Sequence, residues 1–303
     1  MNDSQTVANH EQLGRSQSFD CLKICAMMMV TFLHITGHGL KGANLVPLSG
    51  TYWFVLLINT FSIVAVNCFV LITGYFLSIG TVKFKKLIML WLQVWMYSVG
   101  IYLCLCVIPG TGVVFEFKQF VKCGLPLLTN QYWFFKCYVL LYLIAPILNI
   151  LIREFNKEMY QKVLFLLLII FSGIPSVNIF GDTFGTNGGY SLTWFAVLYL
   201  VAGYIRRYPL QLTFNPIWIY IGSCLVLCIV RLVGNLGNSV ITTVAQLQLQ
   251  YNGPLRFNLS RCFSAYSQQR YNNLGRGCSC RFFCCEQFVE NHPVILQFPD
   301  IQI

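Results

Sequence analysis

The sequence predicts an all-α protein, a polytopic transmembrane helical bundle with about seven spans in this chain. Three observations predict it. The 303 residues are 56% hydrophobic and 16% aromatic but only 10% charged, where an ordinary soluble domain carries about 25% charged residues. The apolar residues are gathered into runs approaching the roughly 20 residues that a helix needs to cross hydrocarbon with its backbone bonded internally. The Lys and Arg residues fall in short clusters between those runs. A soluble protein of this size would need a polar shell that this composition cannot supply.

The apolar runs place spans near 22–40, 53–78, 87–108, 133–152, 161–180, 192–205 and 216–235. The first follows twenty mostly polar residues and lacks a small-residue cleavage site after it, so it reads as a retained helix and not as a signal peptide. The second ends at the segment before Lys83, Lys85 and Lys86, and these lysines open the third. A loop from Pro109 to Asn130 leads to the fourth, and Arg153 to Lys162 separates the fourth from the fifth. The sixth is short and needs neighbours to cover it, and Arg206 to Asn215 leads to the seventh.

The basic residues orient the bundle. With the N-terminus inside, the inner segments hold Arg15, Lys23, Lys83, Lys85, Lys86, Arg153, Lys157, Lys162, Arg206 and Arg207, while the outer ones up to Arg231 hold Lys41, Lys118, Lys122, Lys136 and Arg231. Positive residues concentrate on cytoplasmic loops, so the expected topology is multi-pass with a cytoplasmic N-terminus. The net charge of +10 is explained by this topology. It forms no continuous basic stripe, and no nucleic-acid partner is expected.

Three regions follow: a cytoplasmic N-terminal segment (1–21), a transmembrane domain (22–254) and an atypical tail (255–303). All ten lysines precede the tail, whereas it holds Arg256, Arg261, Arg270, Arg276 and Arg281 and no long apolar run. The stretch from Gly275 to Cys285, GRGCSCRFFCC, crowds four of the fourteen cysteines together ahead of His292. It lacks the paired C-x₂-C spacing of a zinc ribbon, so no metal is expected. The tail reads as the disordered product of a shifted reading frame or a truncation. Nine other cysteines lie in or beside apolar runs, where Cys packs as a small hydrophobe.

Carboxylates are nearly absent from the spans. Asp20 stands at the entrance of the first, and Glu116, Glu154, Glu158 and Asp182 fall in loops. Paired-carboxylate chemistry inside the bilayer is therefore not expected. The ionisable residue within a span is His34, with His38 a turn further on, and such a residue is a functional candidate because of what it costs to bury. Lys23 lies eleven residues before His34. At 100° per residue the two point within about 20° of each other and stand about 16 Å apart along the axis. They can line one groove and serve one long ligand. A partly desolvated, neutral imidazole can take a proton from a hydroxyl.

These residues carry a resemblance. Phe19-Asp20-Cys21-Leu22-Lys23, ten further residues and His34 look like the first-helix signature of the acyltransferase 3 family, in which an Arg, ten residues and a His occur. Lys replaces that Arg here, keeping the charge but losing the bidentate fork. Asn67 to Leu77 (NCFVLITGYFL) is similar to the family's second-helix ending. Lys83, Lys85 and Lys86 match the basic cluster that starts its third helix. Tyr132-Trp133-Phe134 with Tyr138, Leu141, Tyr142 and Pro146 resembles its Trp-Phe helix, and Trp194-Phe195 through Leu200, Gly203 and Tyr204 resembles its short sixth helix. The match covers roughly residues 15–254, and family members commonly have about ten spans.

The resemblance implies a membrane acyltransferase that moves an acyl group, expected to be acetyl, from acyl-CoA to a hydroxyl of a cell-surface carbohydrate. His34 would be the catalytic base. Lys23, Lys83 and Lys86 would hold the donor, and His38, Trp133 and Tyr138 would shape the acceptor side. Acetyl-CoA or another acyl-CoA would be a co-substrate, with no tightly bound cofactor, and the surroundings would be the lipid of the cell membrane. A transporter or glycan flippase is the competing reading, and an inactive truncated fragment is a third. Transporters often show matching interrupted helices in repeated halves, and no such repeat is visible here.

Overall fold

A computed structural model of the protein describes residues 3–39, 49–176, 184–208, 216–236 and 253. Among them every regular element is helical. Helix α1 (Asp3–His34) passes into a π-helical turn at Ile35–Gly39, and α2 (Gly50–Ser62) and α3 (Ala65–Leu77) follow. Then come α4 (Phe84–Val107), α5 (Phe117–Gly124) and α6 (Trp133–Glu154). Helix α7 (Lys157–Leu168) continues as a π-turn over Ile169–Gly173, and α8 (Leu192–Arg207) and α9 (Pro216–Leu236) complete the described elements. The expected tail of 255–303 lies outside the described residues.

Local chemistry sets several of these starts. The side chains of Ser49, Asn156 and Ser191 accept from the backbone N–H three residues on, capping α2, α7 and α8. Each satisfies one of the donors left open by a helix N-terminus. Lys83 precedes α4, so Lys85 and Lys86 sit in its first turn.

Among the described residues, four stretches are long and apolar enough to cross a membrane: Phe19–Gly37, Gly50–Leu77, Phe84–Val107 and Trp133–Glu154. They coincide with the first four spans expected from the sequence. Helices α7, α8 and α9 occupy the expected fifth, sixth and seventh positions; α7 and α8, with 12 and 16 residues, are shorter than those stretches, whereas α9 has 21 residues, of which Tyr220–Val230 is an apolar helix among the described residues. Helix α8 has 16 residues, about 24 Å at 1.5 Å per residue against a hydrocarbon core of about 30 Å. It is buried on nearly every side, with Trp194, Phe195, Leu198 and Tyr199 inaccessible. The short apolar helix is thus the centre of the bundle, surrounded by α3, α6 and α7.

The second stretch is not one smooth helix. A turn at Ile63 and Val64 divides α2 from α3. Tyr220 of α9 donates its hydroxyl to the Phe61 carbonyl at 2.7 Å beside that turn. A backbone acceptor near a helix interruption thereby keeps a partner where water is scarce.

Helix pairing in lipid depends on close packing and interhelical hydrogen bonds, because lipid tails are as apolar as leucine. Both are present. Gly74 of α3 meets α8 so closely that a Cβ there would lie 2.8 Å from Ala202 Cβ and 3.0 Å from Tyr199 Cα. Buried Trp194 donates Nε1–H to Asn67 Oδ1 at 3.2 Å, joining α8 to α3. The Tyr199 hydroxyl donates to Asn149 Oδ1 at 2.8 Å, and Asn149 Nδ2 donates to the Leu77 carbonyl at 3.0 Å. Tyr160 donates to the Leu200 carbonyl at 2.7 Å, fastening α7 to α8. Helix α1 packs on α3 through Phe19, whose ring lies 5.0 Å from Tyr75 and 4.9 Å from Phe76.

Candidate functional site

The helical repeat divides α1 into three stripes. Phe19, Leu22 and Ala26 are buried, whereas Ile24, Met28, Phe32 and Ile35 are exposed. Lys23, Met27, Val30 and His34 are half-buried between them. The structure therefore puts Lys23 and His34 on one stripe, at the seam between the packed and the exposed sides. His34 ends the regular helix, where the backbone passes into the π-turn. Such insertions widen the i→i+4 ladder and recur at functional sites. Beside it, Thr36 donates its hydroxyl to the Phe32 carbonyl at 2.8 Å and receives Asn59 Nδ2 of α2 at 3.1 Å. His38 lies within the π-turn, and its side chain is outside the described residues.

At the other end of the stripe, Lys23 Nζ lies 3.0 Å from Asp20 Oδ1, with both side chains about a quarter exposed (25% and 24%). Part of the charge expected to meet a donor is thus balanced by a carboxylate one turn away. The same end gathers the last turn of α3, the first turn of α4 and the last turns of α6 and α8. Lys83 and Lys86 are exposed there. The Lys83 backbone N–H donates to the Tyr142 hydroxyl at 3.1 Å.

Tyr142 belongs to a ladder along α6. Phe134 and Tyr138 stack at 5.9 Å, and Tyr138 and Tyr142 at 6.5 Å. Trp133 stands at the far end, edge-on to Tyr190 at 4.4 Å and near Phe195 at 6.2 Å. The expected donor lysine Lys83 and the expected acceptor residue Tyr138 are therefore joined by one row of rings. Trp133 sits on α6, which packs against α8, while His34 sits on α1, which packs against α2 and α3. These two candidates thus flank the central α3–α8 pair.

Two arginines escaped the sequence reading as site residues. Arg207 donates to the carbonyls of Ile152, Arg153 and Phe155, capping the end of α6. Arg206 lies over the Tyr75 ring, 4.6 Å from its centroid. Both stand in the last turn of one helix, and only their contacts with other helices tell them apart.

Apolar helices knit by buried tyrosine, tryptophan and asparagine hydrogen bonds, with four stretches among the described residues that have the length and hydropathy of a span, define a helical membrane protein. The family model Acyl_transf_3, described as an acyltransferase domain, matches residues 16–265. The chain belongs to the acyltransferase 3 family, whose members are acyltransferases, and is therefore a membrane acyltransferase. Comparison with curated proteins and with solved structures returned no match.

Proposed function

We propose that this acyltransferase moves an acetyl group from acetyl-CoA, or another acyl group from its CoA thioester, to a hydroxyl of a cell-surface carbohydrate. His34 is the general base, Lys23, Lys83 and Lys86 hold the donor, and His38, Trp133 and Tyr138 border the acceptor. The protein is a multi-pass component of the cell membrane, with about seven spans in this chain and a cytoplasmic N-terminus. The observation that carries the reading is the half-buried stripe from Lys23 to His34 within a chain whose family match spans residues 16–265.

The chemistry is one acyl transfer. Neutral His34 takes the hydroxyl proton as the oxygen attacks the thioester carbonyl, forming a C–O bond. The C–S bond then breaks, and the departing thiolate recovers the proton from the imidazolium. A general base contributes about 10²–10⁴-fold to such a step. The half-buried setting serves it by limiting access of water, which would otherwise compete as acceptor. Membership of an acyltransferase family favours this enzyme over the transporter reading.

The test compares O-acetyl content of the envelope carbohydrate in cells lacking the gene and in cells supplied with wild type or His34→Ala. Wild type should raise the ester content, and His34→Ala at equal membrane abundance should lower gene-dependent transfer at least about 10²-fold. Full activity of His34→Ala would overturn the base assignment. An unchanged ester content with active wild type would overturn the acceptor class.

A further inference from the structure

We propose that Arg206, held on the Tyr75–Phe19 aromatic shelf, binds a phosphate of the acyl donor. The inference rests on the acyl-CoA reading given above and adds a residue to it.

The two arginines of α8 share a helix end but not a task. Arg207 uses its guanidinium on the closing carbonyls of α6. Among the described residues Arg206 has neither a hydrogen-bond partner nor a carboxylate partner, and its contact is the face of Tyr75. Arg206 is nevertheless half-buried. A residue serving only as a membrane anchor would extend its guanidinium to the headgroups. This one lies inward against a ring that is itself only 7% exposed.

That posture suits one chemistry. A guanidinium on an aromatic face is attracted by the ring quadrupole. Its five N–H donors lie in the guanidinium plane and, when the planes stack, remain at its edge for a bidentate oxyanion. Phosphate fits that edge better than a neutral group does. The shelf continues from Tyr75 to Phe19 at 5.0 Å, one residue before Asp20 and one turn before Lys23. The clamp therefore adjoins the start of the stripe that leads to His34.

Charge balance points the same way. Lys23 occupies the position where the family resemblance expects Arg, and it is paired with Asp20 at 3.0 Å. A lysine offers a point charge, not a fork. Arg206 brings the missing geometry to the same end of the bundle from another helix, without a carboxylate partner among the described residues.

A lipid headgroup phosphate offers the same chemistry as the donor, so the experiment separates them. Full-length wild type, Arg206→Lys and Arg206→Gln are placed in nanodiscs of pure phosphatidylcholine or of phosphatidylcholine with phosphatidylglycerol. Calorimetry then measures coenzyme A binding. In neutral nanodiscs Arg206→Gln should bind about tenfold or more weaker than wild type, as expected for loss of a charge-assisted pair, and Arg206→Lys, which keeps the charge but loses the fork, should fall between the two. With acetyl-CoA as substrate, the donor KM should rise with little change in kcat. Wild-type binding with both variants within twofold overturns the Arg206 assignment and leaves the acyl-CoA reading intact. No binding by wild type overturns the acyl-CoA reading and the Arg206 inference together. A variant effect confined to phosphatidylglycerol nanodiscs assigns the clamp to lipid and overturns its donor role.

Should the variants fail to fold, phenylglyoxal modification of wild type, read by mass spectrometry, decides the matter. Coenzyme A should protect Arg206 and leave Arg153 unaffected; equal labelling of Arg206 with and without coenzyme A overturns the inference.

Discussion

Gly74→Ala is the substitution whose consequence the structure defines most sharply. A Cβ at this position would stand 2.8 Å from Ala202 Cβ, 3.0 Å from Tyr199 Cα and 3.1 Å from the Tyr199 carbonyl oxygen. Carbon atoms prefer separations of roughly 3.5–4.0 Å, so α3 must retreat from α8 or rotate. Two of the three obstructing atoms are backbone and cannot turn aside. Overpacking of this kind costs about 1–3 kcal/mol, and the rigid obstruction places Gly74→Ala toward the upper part of that range. The displacement would also strain the Trp194–Asn67 bond and shift Tyr75 beneath Arg206. Gly203→Ala is the internal comparison. Its Cβ would meet the Ile152 side-chain tip at 2.5 Å and the Tyr160 hydroxyl at 3.1 Å. The isoleucine can change rotamer, so the cost should fall near the lower end, and Ile152→Val in the same chain should recover part of it. Thermal unfolding of the purified protein in one detergent measures both. Gly74→Ala should lower Tm by about 5–10 °C, using about 2–4 °C per kcal/mol for large domains, and Gly203→Ala by less. A Gly74→Ala protein melting within about a degree of wild type would refute the reasoning that α3 and α8 meet backbone to backbone.

Asn149→Leu should cost about 1–3 kcal/mol, because the Tyr199 hydroxyl and the Leu77 carbonyl both lose a buried partner. Tyr199→Phe added to Asn149→Leu should cost less than the sum of the two single changes, as a thermal double-mutant cycle would show; strict additivity would deny the contact. Burial holds the Cys123 thiol above its ordinary pKa, so the neutral form is favoured in the fold. Its stabilising effect is complete below the ordinary thiol pKa of about 8.5 and fades as pH climbs through the raised value. Alkylation of Cys123, followed by mass spectrometry, should still be accelerating at pH values where a free thiol has reached its plateau. A plateau at the ordinary thiol pKa would show that burial does not perturb this group.

Much of the fold was legible because the bilayer demands local signals. An apolar run long enough to span must sit in adjacent residues, so the first four expected spans coincide with stretches that, among the described residues, meet the length and hydropathy of a membrane helix. The shared direction of Lys23 and His34 was equally local, since both belong to one helix with a fixed repeat. The π-turn after His34 left no such mark, and neither did the turn between α2 and α3. Ile-Thr-Gly-His-Gly and Ile-Val are compatible with an ordinary helix in hydropathy. The interruption beside Tyr220 depends on α9, which is more than 150 residues away in sequence (|i−j| 159 for the Tyr220–Phe61 bond).

By itself, the sequence determined the membrane class, the apolar segments and the residues able to carry charge or a proton on the first helix. Only the tertiary structure decided which helices meet. It made α8 the centre, paired Asn67 with Trp194, gave Arg207 to the carbonyls of α6 and laid Arg206 on Tyr75. The physical reason is that every apolar helix face looks alike to lipid. Partners are selected by small residues that permit close approach and by polar groups that need one another, and those complements lie on segments far apart in the chain.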